Sequence, residues 1–274
     1  MSAPVIAFCN PRRRVGTTTL VYHLGFMFSD LGVPVVMVDL DPQVDLSLRF
    51  MGYADLRFLL SARPSSRLNP TIYDRLDGAS AGVSRGMGPA LVPGDPRIAK
   101  LDRQAQSGEA GLSSKLRTVL GEGAESCGAA LVLVDLGPNL GALNRASLHA
   151  SDFLVVPTTA DFLARSAILS LLEALRAASG SSGPRPLGFV LRSSLPESTE
   201  SSHGDLDCLG IVQPYVSLAE MAQEAHKPMF HLTEADGAMG SHFAAMQSAR
   251  KDFEHVARRI ADGAGVKIPQ LSGA

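Results

Sequence analysis

Tryptophan is absent from this chain of 274 residues, and aromatic side chains of every kind make up only 5%. Hydrophobic residues still amount to 45%, enough to bury a sizeable core as one domain or one large α/β unit. Small aliphatics must fill that core, which suits a parallel sheet covered by helices. Cysteine is scarce: Cys9, Cys127 and Cys208 are widely spaced, odd in number and form no CxxC pair. This speaks against a disulfide framework or a cysteine-built zinc site, and for reduced thiols. Neither sign of charge dominates. The formal net charge of −2 removes a global basic field for nucleic acid but leaves room for a local basic face. No apolar run approaches the roughly 20 residues of a membrane span. The apolar stretch at residues 4–9 is too short for an export signal and has no basic region before it. The expectation is a cytoplasmic protein with no membrane span. His226, His231, His242 and His255 show neither a helical i, i+4 histidine pair nor a cysteine at ligand spacing, so no metal site is expected from them.

Short apolar runs at residues 5–9, 35–39, 130–135, 153–157 and 187–191 read as buried strands. Helix-like patterns alternate with them. That alternation predicts an α/β fold, a doubly wound and mostly parallel sheet with helices on both faces. Sites in such sheets lie at the carboxyl ends of the strands, where Asn10, Asp39, Asp41 and Asp135 fall. Residues 61–128, rich in Pro, Gly, Ser and Arg, read as helices and loops inserted between the second and third core strands. Residues 193–210 read as a polar loop. Phe243, Met246, Ala249, Phe253, Val256 and Ile260 recur at spacings of three and four, predicting a helix over 241–262. The whole is expected to be one domain over 1–262, with 263–274 a loose tail.

The most informative segment is Phe8-Cys9-Asn10-Pro11-Arg12-Arg13-Arg14-Val15-Gly16-Thr17-Thr18-Thr19-Leu20. A strand leads into it, and a helix with Leu20, Leu24, Met27 and Leu31 on one side leaves it. Strand, tight loop and helix is a setting in which backbone N–H groups and a helix terminus hold phosphate. The segment resembles the deviant Walker A loop of the ParA/MinD family of P-loop ATPases. By that resemblance Arg12 takes the place of the signature lysine that reaches across a dimer. Arg13 and Arg14 replace two glycines, Gly16 matches, Thr17 replaces the phosphate-binding lysine, and Thr18 matches the magnesium-ligating hydroxyl. Residues 12–19, with Val15 and Thr19, are the implied nucleotide-binding loop. Arginine adopts positive φ at a cost that glycine avoids, so two arginines there are expected to reshape the loop. Guanidinium groups nevertheless pair well with phosphate.

Two further strands end in carboxylates. Residues 35–43 read Val-Val-Met-Val-Asp-Leu-Asp-Pro-Gln, close to the DxDPQ motif of the same family. The resemblance implies that Asp41 orients the attacking water and that Asp39 lies near magnesium; on residues alone, a strand-end pair of aspartates capping the next helix is the competing reading. Residues 131–138 read Leu-Val-Leu-Val-Asp-Leu-Gly-Pro and resemble a Walker B strand with the switch that follows it. There Asp135 would hold magnesium through water and the Gly137 N–H would sense the γ-phosphate. The late segment from Tyr215 resembles the family's base-contacting region, with Pro214 nearest the base.

The resemblance runs from about residue 4 to 262 and implies ATP and Mg2+ as cofactors and a homodimer sandwiching nucleotide. It also implies a ParB-like adaptor and non-specific DNA as partners. Arg250, Lys251, Arg258 and Arg259 on the last helix are candidate DNA contacts; a solvated face with Asp252 and Glu254 is the favoured competing reading. Two functions stay open. One is an ATPase that partitions or positions DNA or another cargo through ATP-dependent dimerisation. The other is an inactive scaffold on the same fold that has lost ATP binding through Arg13, Arg14 and Thr17. A ligase or kinase of the dethiobiotin-synthetase type is disfavoured by the Asp-Pro-Gln after the second strand.

Overall fold

In the computed structural model residues 2–79, 83, 88–104, 109–160, 162–179, 183–194, 202–203 and 206–270 are described. Among the described residues eight strands form one sheet in the order β3-β2-β4-β1-β5-β6-β8-β7. They are β1 (Val5–Phe8), β2 (Val35–Asp39), β3 (Ala90–Val92), β4 (Leu131–Asp135), β5 (Phe153–Thr159), β6 (Arg185–Arg192), β7 (Ser202–His203) and β8 (Leu206–Val212). Every pairing is parallel except β7 with β8.

The strands read as continuous apolar runs because both faces are covered. In β2, Val36 and Val38 point into one core layer while Val35 and Met37 point into the other. In β4, Val132 and Val134 divide from Leu131 and Leu133 in the same way. The first layer is roofed by α4 (Ile72–Leu76), α6 (Glu109–Cys127), α7 (Ala142–His149) and α8 (Phe162–Ser179). The second is roofed by α1 (Thr17–Asp30), part of α2 (Asp45–Met51) and α10 (Ser241–Ala264). This is the doubly wound parallel sheet expected from the alternation. A side chain at Gly25 of α1 would run into the Met37 thioether, so this glycine lets the helix lie close on β2.

Three segments depart from the sequence reading. The stretch 61–128 contains the edge strand β3, whose three residues follow Gly88-Pro89 and precede Pro93-Gly94, too short a run to stand out. It also holds α4 and α6, together with α5 (Ala99–Gln104) and the end of α3 (Tyr53–Ser61). The supposed polar loop at 193–210 runs into strand β8, whose apolar pattern is broken by Asp207 and Gly210. The last helix extends to Ala264, and beyond it Val266 and Ile268 pack partly buried against the second layer, in the segment read as a loose tail. A small third cluster joins α9 (Val216–Glu224) to α10 through Leu218, Ala222 and Ala249.

Candidate functional site

Parallel register brings the two aspartates at the strand ends together. β4 lies between β2 and β1, and Asp39 pairs with Asp135, which in turn pairs with Phe8 at the end of β1. Residues 96 positions apart in sequence thus end side by side beneath the loop that follows β1.

Asp39 is fully buried and well engaged. Its Oδ2 accepts hydrogen bonds from the Ser47 N–H (2.9 Å) and the Ser47 hydroxyl (2.6 Å), and its Oδ1 accepts from the Asp41 N–H (3.2 Å). Burial pushes its pKa up to about 7 against those donors, with the charge of Asp41 adding to the rise. Asp135 is also fully buried, and among the described residues neither of its carboxylate oxygens has a hydrogen-bond partner. Its pKa is raised well above the usual carboxylate range, first by burial and then by the charge of Asp39. The nearby Thr18 hydroxyl works against that rise but stands outside hydrogen-bonding geometry. Two such carboxylates cannot both ionise cheaply, so the pair carries less than two charges near neutrality. An acid buried without donors lacks the compensation that interiors normally provide. A hydrated cation at the Thr18 hydroxyl would supply it, so the residues present fit a divalent ion.

Asp41 is half-buried. Its Oδ1 accepts from the Gln43 N–H at 2.9 Å. Burial raises its pKa, and the nearby Arg13 charge opposes the rise. Gly137 passes close by: a Cβ there would sit 3.1 Å from Asp41 Oδ1.

The loop between β1 and α1 keeps its place above these acids. Asn10, buried at the end of β1, donates to the Pro157 carbonyl (2.7 Å), while its Oδ1 accepts from the Arg12 N–H (2.9 Å). Of the two arginines that the resemblance sets against glycines, only Arg14 enters the left-handed region (φ 64°), and Gly16 follows at φ 92°. The expected reshaping thus reduces to one strained residue, because Arg13 sits at ordinary φ. No side chain caps the N-terminus of α1, and its first turn holds no acid, so its amide groups face the cleft.

Residues 12–19, that is Arg12, Arg13, Arg14, Val15, Gly16, Thr17, Thr18 and Thr19, line one open cleft of about 480 Å³ together with Asp41. Sequence reasoning missed four cleft residues with charge or polarity to offer: Gln43, Asp45, Arg49 and Arg192. Arg192 had a findable signal, since it ends an apolar strand as Asp39 and Asp135 do. A smaller, more apolar pocket of about 90 Å³ adjoins the cleft and is lined by Val15, Gly16, Thr19, Arg192, Gln213 and Pro214 among others. Pro214, singled out from sequence, is therefore placed beside the loop. The four basic residues of α10 line neither pocket. Arg250 pairs with Asp30 at 3.0 Å and Arg258 with Glu254 at 2.8 Å, while Lys251 and Arg259 are exposed. Asp252 accepts hydrogen bonds from the Tyr215 hydroxyl and the Gln213 N–H. His231 pairs with Asp30, and His226 contacts the Arg49 carbonyl.

A family model described as an AAA domain matches residues 3–182, well over half of the chain. The chromosome partitioning protein ParA of Caulobacter vibrioides is 28% identical over 185 residues, 66% of this chain and 65% of that protein. The chain belongs to the ParA/MinD family of P-loop ATPases. Solved structures carry the same fold across this ParA/MinD-family chain. Cyanothece McdA in an ATP complex superposes with a TM-score of 0.70 at 17% identity, covering 99% of each chain. MinD from Pyrococcus horikoshii with Mg-ADP does so with a TM-score of 0.68 at 16% identity, covering 96% of this ParA/MinD-family chain and 98% of the other. Among the described residues no helix is long and apolar enough to cross a membrane.

Proposed function

We propose that this chain is a nucleotide-dependent positioning protein that binds ATP with Mg2+ in the cleft above β1 and dimerises when loaded, partitioning DNA or another cargo. The observation that carries this reading is the Asp135 carboxylate, buried without a donor beneath the uncapped N-terminus of α1. A scaffold that had given up its ligand would gain from replacing so costly a group, which argues against the inactive reading.

Roles follow from position. Thr18 and Asp135 would hold the ion, which supplies neutralisation of phosphate charge when bound. Asp39, expected beside the ion, is taken up by Ser47 and by the Asp41 N–H, and so holds the end of β2 and the start of α2 in place. The half-buried Asp41 is free to orient a water for attack on the terminal phosphate. Gly137, against Asp41, leaves room for that phosphate. The amides of residues 14–18 receive the phosphates, and the pocket at Pro214 and Gln213 receives the base. Arg12 would reach a partner protomer. A ParB-like adaptor fits the partitioning role. Lys251 and Arg259 are the two of the four α10 basic residues left for a DNA phosphate contact.

Calorimetry of the purified protein with Mg-ATP tests the reading. Binding that disappears in Thr18→Ala and in Asp135→Ala is expected, with light scattering showing a dimer only when ATP is present. An absence of binding at millimolar ATP, or a fixed oligomeric state indifferent to nucleotide, would return the chain to the scaffold reading.

A further inference from the structure

We propose that Arg192, at the carboxyl end of β6, binds the nucleotide phosphates and supplies the positive charge that the loop lacks at Thr17. This inference rests on the nucleotide reading above.

Thr17 opens α1 with a hydroxyl and no charge, yet a polyphosphate held only by amides needs a cation close to the loop. Arg192 reaches that place from a different strand. Its Nη1 lies 3.5 Å, and its Cδ 3.7 Å, from where a Cβ on Gly16 would sit, so the side chain crosses the loop one residue before Thr17. Its root is fixed: within the sheet Arg192 pairs with Thr159 on one side and Val212 on the other. A fixed root limits the entropy lost on capturing an anion.

The surroundings of Arg192 point the same way. It is exposed, and its side chain makes no ion pair or hydrogen bond with any described residue. The cleft it lines also holds the positive end of α1, Arg12, Arg13, Arg14 and Arg49 against two carboxylates, Asp41 and Asp45. An unpaired guanidinium held among like charges is unfavourable until an anion enters. The loop's own arginines line the same cleft, where the Arg13 charge acts on Asp41; Arg192 differs from them in rising from a paired strand. Arg192 is also shared by the large cleft and the small pocket at Pro214. It therefore stands where the phosphate chain would leave the sugar and base, and the planar fork of its guanidinium suits two phosphate oxygens at once.

The test is a titration of Mg-ATP into wild type, Arg192→Ala, Arg192→Lys and the double variant Thr17→Lys/Arg192→Ala, each checked for wild-type melting. Arg192→Ala is expected to weaken ATP roughly ten- to hundredfold, the loss of one charge-assisted contact. Arg192→Lys should recover part of this, and Thr17→Lys should restore binding in the alanine background. Inorganic tripolyphosphate should displace ATP from wild type and bind Arg192→Ala weakly. Equal ATP affinity in wild type and Arg192→Ala overturns the inference and leaves the nucleotide reading intact. Weakened ATP with unchanged tripolyphosphate binding assigns Arg192 to the base and overturns the phosphate role. No ATP binding by wild type overturns both.

Discussion

The acids beneath the cleft and the loop above them have been treated very differently by this sequence. Asp39, Asp41 and Asp135 keep the pattern that the family resemblance leads one to expect, while by the same resemblance the loop would carry two arginines for glycines and a threonine for a lysine. The structure explains the contrast. Asp39 and Asp135 sit at the ends of central strands, where register fixes them and burial makes any replacement felt throughout the sheet, and the half-buried Asp41 follows two residues after Asp39. The side chains of Arg13 and Arg14 are exposed, so a change there costs one residue of backbone strain and little else. Charge can also be supplied to an open cleft from another strand, whereas nothing can replace a buried carboxylate in place.

The sharpest way to break that comparison is Asp135→Asn. Mg-dependent ATP binding should vanish in this variant while the unliganded protein gains about 1–3 kcal/mol, because a buried acid without donors is exchanged for a neutral group of the same shape. Calorimetry and thermal melting together read both effects, and loss of stability in the variant would contradict the account of the acids. Next in size, Asp41→Ala should lower ATP hydrolysis by about 100-fold or more with affinity for ATP changed by less than about twofold. Unchanged turnover there would remove Asp41 from the chemistry.

The same acids predict a dependence on pH with a definite sign. Below the ordinary value of 3.8 both folded and unfolded chains hold the proton on Asp39, and its contribution is complete. From there up to about 7 only the folded chain keeps it, so stability falls as pH rises, by about 1.4 kcal/mol per pH unit for one such group. Asp135, raised in the same direction, steepens the fall. The stability gap between Asp135→Asn and wild type should therefore open as pH rises from 4 to 8. A gap independent of pH would mean that the pair does not titrate in the fold.

Smaller effects probe how tightly each region is built. A Cβ at Gly94 would lie 2.8 Å from the Asp39 carboxyl carbon, so Gly94→Ala should cost about 1–3 kcal/mol in chemical denaturation. In the loop, Arg14→Gly should stabilise the protein by about 0.5–1 kcal/mol by relieving its positive φ, whereas Arg13→Gly, at ordinary φ, should give no gain. Equal responses at the two positions would contradict the loop conformation.

Legibility in the sequence followed burial. The five central strands were readable because each is a nearly unbroken apolar run, and two of them end in an acid. β3 and β8 escaped because one has three residues and the other carries polar and glycine interruptions. The site divides along the same line. Asp39, Asp41, Asp135 and residues 12–19 are contiguous motifs, and they meet where the strand order said they would. Ser47 and Arg49 reach the site on α2, just after the Asp-Pro-Gln turn, and Arg192 from the end of β6, so none of them belongs to the motifs themselves. Arg192 lay one residue past the end of the apolar run as drawn, at the same kind of strand terminus that identified the acids.

Ser47 has a consequence that concerns mechanics. Its hydroxyl donates to Asp39 and accepts from the Gly94 N–H at 2.8 Å, so a single oxygen fastens the exit of the edge strand β3 to the end of β2. The crowding of Gly94 against the same carboxyl leaves this joint no slack. The exit of β3 and the end of β2 are thereby held to one another at the acid beneath the cleft.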